Sequence, residues 1–257
     1  MRSLRAVGVI VGSVVMSAAL VAGCGGSGGG SAAPSASASS SAPTTPTSAP
    51  TSAETTTTPT RPATQTRTAA ELKKALLALD DLPPGFSVES AGSDDGDVAL
   101  TSKDPKCAPL VRLLNADTAP GSKASATRSY SGGQDGPFID EGLDAMGSPA
   151  AVARLQSSMR AAVAACSKVT LSIPGQGRST VTVQQVSAPK AGTGPYAVRL
   201  TATSGPLEGL EVSMVTTGLD DVVLSMTFVA AVADDVDGAT SDAVEKAQSV
   251  LGTSSGT

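Results

Sequence analysis

The chain has 257 residues, 40% of them hydrophobic but only 2% aromatic, with no Trp and no His. Without histidine, Ser-His-Asp and Cys-His catalysis are excluded and the commonest zinc ligand is missing. From Ala69 onward 14 Lys and Arg face 22 Asp and Glu, a net of −8 that argues against nucleic acid and anionic lipid as main partners.

Residues 1–23 open with Arg2 and Arg5 and continue as an uncharged apolar stretch from Ala6 to Ala22, the layout of a secretory signal. Val21-Ala22-Gly23-Cys24 resembles the bacterial lipobox, in which small residues precede a cysteine that receives a diacylglycerol. Cleavage before Cys24 and acylation of its thiol would hold the mature chain on the extracytoplasmic side of the cell membrane. Each buried methylene contributes about 0.8 kcal/mol, so two chains anchor stably. The alternatives are an ordinary signal peptide whose cysteine is incidental, or a spanning helix, which needs about 20 apolar residues where this run is short and glycine-punctuated.

From Gly25 to Thr68 the sequence is almost wholly Gly, Ser, Ala, Pro and Thr. Such a segment cannot bury a core, so residues 24–68 are expected to be a disordered tether behind the lipidated Cys24. Its clustered Thr55–Thr58 are candidate sugar acceptors. Residues 69–252 mix charged and apolar positions and are expected to form one domain, with 253–257 as a tail.

Within that domain, Leu72, Leu76 and Leu79 predict a helix over 69–79 that must stop before Pro83 and Pro84. Leu82-Pro83-Pro84-Gly85-Phe86 then turns the chain into a strand. A short helix is expected around Cys107 to Leu114. The strongest helix runs from Pro149 to Cys166, with Ser148 as cap, Pro149 in the first helical position, and Val152, Leu155, Met159, Val163 and Cys166 in one stripe. A last helix is predicted over 242–251, where Asp242 and Glu245 stand at capping-box spacing.

Strand patterns fill the intervals: 125–130, 138–143, 169–173, 180–186, 196–203, 210–216 and 222–229. Turn-rich connections such as Ser131–Gly136 and Pro174–Gly177 favour antiparallel neighbours. The expected fold class is therefore α+β, an antiparallel sheet with helices packed on one face.

With Cys24 assigned to lipid, Cys107 and Cys166 remain in a chain expected outside the cytoplasm, where pairing is the natural reading. The bond would close a loop of about 60 residues and stabilise by roughly 4 kcal/mol on the chain-entropy account. The alternative is two unrelated buried thiols.

Several of these features together carry a resemblance: Leu76-Leu77 through Asp81-Leu82-Pro83-Pro84-Gly85-Phe86, then Cys107-Ala108-Pro109-Leu110, then a Ser-Pro-capped helix ending at Cys166. They resemble the PknH-like extracellular domain, a family that includes the outer sensor region of a mycobacterial serine/threonine kinase and stand-alone actinobacterial lipoproteins. The resemblance implies a sheet-and-helix fold with a cleft for an extracellular ligand. One departure is that a single disulfide is available here where the kinase sensor has two.

The remaining constellations point away from chemistry. Asp140 and Asp144, with Glu141 between them, invite a paired-carboxylate reading, but a solvated strand face explains them as well. Asp234-Asp235-Val236-Asp237-Gly238 fails the calcium-loop pattern, because aligning Gly238 with the turn glycine leaves Ala233 first and Val244 last. Asp94-Asp95-Gly96-Asp97 reads as a turn. The expectation is no enzyme, no cofactor and no metal. The first functional reading is an extracytoplasmic sensor-like module for a small or lipidic envelope ligand, held in an apolar cleft of Val, Leu and Met; the second is a lipoprotein that docks another envelope protein.

Overall fold

The computed structural model describes residues 67–89 and 99–253. The expected leader, Cys24, the expected tether with Thr55–Thr58, the Asp94–Asp97 cluster and the last four residues lie outside them.

The core is a nine-stranded antiparallel sheet in the order β1-β3-β4-β9-β8-β7-β6-β5-β2. Its strands are β1 (Ser87–Glu89), β2 (Ala99–Thr101), β3 (Ala124–Ser131), β4 (Phe138–Ala145), β5 (Lys168–Ile173), β6 (Gly177–Val186), β7 (Thr193–Ser204), β8 (Glu211–Leu219) and β9 (Val222–Val229). The helices are α1 (Ala69–Ala75), α2 (Ala108–Leu114), α3 (Pro149–Ala165) and α4 (Ala233–Leu251). After β4 the chain leaves the middle of the sheet and returns through α3 as β5 near one edge. It then meanders back through β6, β7 and β8 until β9 pairs with β4.

The α+β class and the antiparallel sheet are as the sequence predicts, but the helices lie on both faces rather than one. Along β9, Leu224, Met226 and Phe228 point into one core with Leu72, Leu76 and Val244, whereas Val223 and Val229 point into the other with Leu113, Leu155 and Met159. Every residue of β9 is buried, as a strand covered on both sides must be. Helices α1 and α4 cover β3, β4, β9 and β8, while α3 covers β6 to β9 and α2 packs on α3. Each pair therefore leaves half of its face open. On β5–β7 the open half is polar, with Thr170, Thr180, Thr182 and Thr201 aligned across the register.

Element ends follow local chemistry. Ser148 caps α3 through its side chain to the Ala151 amide, and Thr68 with Glu71 forms a capping box on α1. Helix α1 stops at Ala75 instead of 79, because the next residues turn their backbone groups to the sheet. Helix α4 begins at Ala233, nine residues before the predicted start. The acids Asp234 and Asp235 thus lie in its first turn, where the helix dipole favours them, and this segment is helix rather than a turn before one. The strand expected after Phe86 is β1, whereas the three-residue β2 has little sequence signal of its own.

Cys107 and Cys166 are bonded, with Cα atoms 4.9 Å apart. The bridge ties the start of α2 to the residue that ends α3, so α2 runs back along α3 from its C-terminal end.

Candidate functional site

The structure places two features that bear on function: a buried polar cluster under α1 and an open groove between α2 and α3.

Glu141 lies on β4 opposite Arg128 of β3 and is fully buried. Its Oε2 accepts the Leu77 amide hydrogen at 2.9 Å and contacts the Tyr130 hydroxyl at 3.0 Å, while Oε1 has no partner. The same hydroxyl is 2.6 Å from the Leu77 carbonyl oxygen, which also accepts from Arg128. A phenol has one proton. If Tyr130 gives it to Leu77, the contact with Glu141 is a hydrogen bond only when the carboxyl is protonated and donates. Burial agrees, pushing the Glu141 carboxyl up to about 7 against the pull of the Leu77 amide, Tyr130 and Arg128. Burial, with Glu141 close by, likewise raises the Tyr130 phenol. This cluster pins the chain after α1 to the sheet through the Leu77 amide and carbonyl, which makes it a structural lock.

The carboxylates of the paired-acid reading do not come together. Asp140 and Asp144 share the face opposite Glu141, four positions apart along one strand, which is about 13 Å. The face is not the solvated one expected, since Asp144 is 2% exposed. Ser129 Oγ is 2.5 Å from Asp140 Oδ1. Among the described residues no group of three His, Cys, Asp or Glu is placed to hold a metal ion.

Within the described core the expected apolar cleft is reduced to a small gap. The gap among Leu100, Leu171, Val181, Leu200 and Val212 measures about 10 Å³, about the room for one water. The physical reason is that the Val, Leu and Met side chains of both sheet faces are used up against helices.

The larger space is an open groove of about 540 Å³ between α2, the loop before β3 and the first half of α3. Its floor is Leu113, Met146 and Leu155, and its rim carries Arg112, Lys123 and Arg154. No acidic residue lines it. Among the described residues, no carboxylate lies within ion-pair distance of the three cations. The walls are held from behind. Gln156 donates to the Thr193 carbonyl at 2.8 Å and Arg160 to the Gly194 carbonyl at 2.7 Å, with the Arg160 guanidinium 5.3 Å from the Tyr196 ring centroid. The Cys107–Cys166 bridge then ties α2 to α3.

None of the three cations stands out in a residue-by-residue reading. Only Arg154 belongs to the acid-free run from Ala145 to Leu207; Arg112 and Lys123 lie on either side of Asp117, so no local sequence signal unites the three.

Among the described residues no helix is long and apolar enough to cross a membrane. No family profile and no curated protein matches the sequence. Among solved structures, the extracellular domain of PknH from Mycobacterium tuberculosis has the same fold, with a TM-score of 0.55 and 14% identity over 72% of this chain and 99% of that one. At that identity the likeness is one of fold.

Proposed function

We propose that the chain is an exported lipoprotein, anchored through Cys24, whose folded domain is a non-catalytic, sensor-like module that holds a small or lipidic envelope ligand in the groove between α2 and α3. The groove is the observation that carries this reading: about 540 Å³ with an apolar floor and a few polar groups at its rim, within the range of small-molecule sites. The shared fold with an extracellular kinase domain supports an extracytoplasmic, non-catalytic role, as do the leader and lipobox of the sequence.

Native mass spectrometry of the protein purified gently from its own envelope tests it. A reproducible added mass, recovered on extraction, supports the binding module. A bare protein that instead co-purifies with one envelope protein at fixed stoichiometry replaces it with a docking lipoprotein, for which the open polar face of β5–β7 is the candidate surface.

A further inference from the structure

The reading above leaves the ligand's chemistry open, and the groove itself narrows it. Arg112 reaches the rim from α2, Lys123 from the loop entering β3, and Arg154 from α3. Three like charges around one opening repel one another and weaken the folded state unless an anion compensates. Among the described residues no carboxylate lies within ion-pair distance of the three, and no acid lines the groove. Arg154 lies in the acid-free stretch between Asp144 and Glu208, and Asp117, which falls between Arg112 and Lys123 in sequence, does not line the groove. Below the cations, Leu113, Met146 and Leu155 give a floor that a fully hydrated ion would leave uncovered.

We propose that this groove takes the headgroup of an anionic phospholipid, the phosphate lying among Arg112, Lys123 and Arg154 and the first part of an acyl chain covering Leu113, Met146 and Leu155. A volume of about 540 Å³ holds a headgroup and the start of a chain, so the remainder of the lipid stays in the bilayer or in a carrier. This inference rests on the groove-binding reading and gives its ligand a charge. It also reverses what the net charge of −8 implies on average, because the binding face is the basic part of an acidic domain.

The test uses the mature chain with Cys24→Ala, so that acyl anchoring does not mask the groove. Its binding to vesicles of phosphatidylcholine with phosphatidylglycerol is compared with binding to phosphatidylcholine alone. The expected result is binding to the anionic vesicles, weakened by salt. The triple variant Arg112→Gln, Lys123→Gln, Arg154→Gln should bind on the order of a hundredfold more weakly, at about fivefold per cation removed from an anionic surface. The triple variant Lys168→Gln, Arg178→Gln, Lys190→Gln removes as many exposed charges elsewhere and should change little. Thermal unfolding of both variants checks that they fold.

Equal losses in the two triples would overturn the site in favour of diffuse charge. Unchanged binding in the groove triple, or none by the parent, would overturn it as well. Competition by soluble glycerol phosphate as strong as that of the vesicles would reassign the groove to a free phosphate ester, and selective capture of an acidic protein would reassign it to docking. A neutral molecule recovered with the native protein and lost in the groove triple would refute the anionic ligand while leaving the groove-binding reading intact.

Discussion

The fully buried Glu141 accepts the amide hydrogen of Leu77 at 2.9 Å, across 64 residues of chain. That bond, with Tyr130, ends α1 and fixes the segment after it. Its carboxyl is raised by burial to about 7 from 4.5, so the folded state holds a proton the unfolded chain has released. The contribution is therefore present below about pH 4.5 and lost as pH rises through 7, at most about 3 kcal/mol. Asp81, which Lys246 and the Ala78 amide hold below its usual range, acts in the opposite sense and at lower pH, outside this window. Urea unfolding at pH 5 and pH 8 should show the chain less stable at the higher pH. Glu141→Gln should flatten that difference; an unchanged slope would mean the carboxyl is ionised when folded.

Reduction of the Cys107–Cys166 bridge, or Cys107→Ser with Cys166→Ser, should lower stability by roughly 4 kcal/mol, for the bond closes a long loop. Denaturant midpoints with and without reductant measure it. A midpoint that ignores reductant would show that the helices hold α2 unaided.

Cys24→Ala should move the protein from the membrane fraction to the medium or wash while leaving its unfolding curve unchanged. Retention in the membrane would mean that something other than the expected acyl chains holds it.

Two glycines should respond oppositely to alanine. Gly205 has φ +87 and a Cβ there would collide with the Arg178 carbonyl oxygen, so Gly205→Ala should cost about 2 kcal/mol or more. Gly238 lies inside α4 with nothing within 4 Å of an added Cβ, so Gly238→Ala should stabilise by about 1 kcal/mol. Thermal unfolding of the two variants decides both.

Much of this fold is legible in the sequence because its signals are local. Ser148 and Pro149 announce α3, the apolar positions of 222–229 announce β9, and two spare cysteines announce the bridge. What escapes is whatever depends on partners distant in sequence. The start of α4 is hidden by Gly238, which reads as a break but sits exposed on the helix. Strand β2 is three residues long and exists through pairing with β5. Glu141 reads as surface because nothing near it in sequence shows Leu77 and Tyr130 closing over it. Likewise the groove gathers Arg112, Lys123 and Arg154 from three elements, and only Arg154 lies in the acid-free run from Ala145 to Leu207, so no motif marks the three.

The central claim is that the space between α2 and α3 is where a ligand sits. Amide chemical-shift mapping of the mature Cys24→Ala chain, titrated with lipid extracted from its own envelope, tests it most directly. Shifts should concentrate at residues 109–123 and 146–158, with the β5–β7 face around Thr170, Thr182 and Thr201 unmoved. Shifts confined to that polar face, or none at saturating lipid, would contradict it.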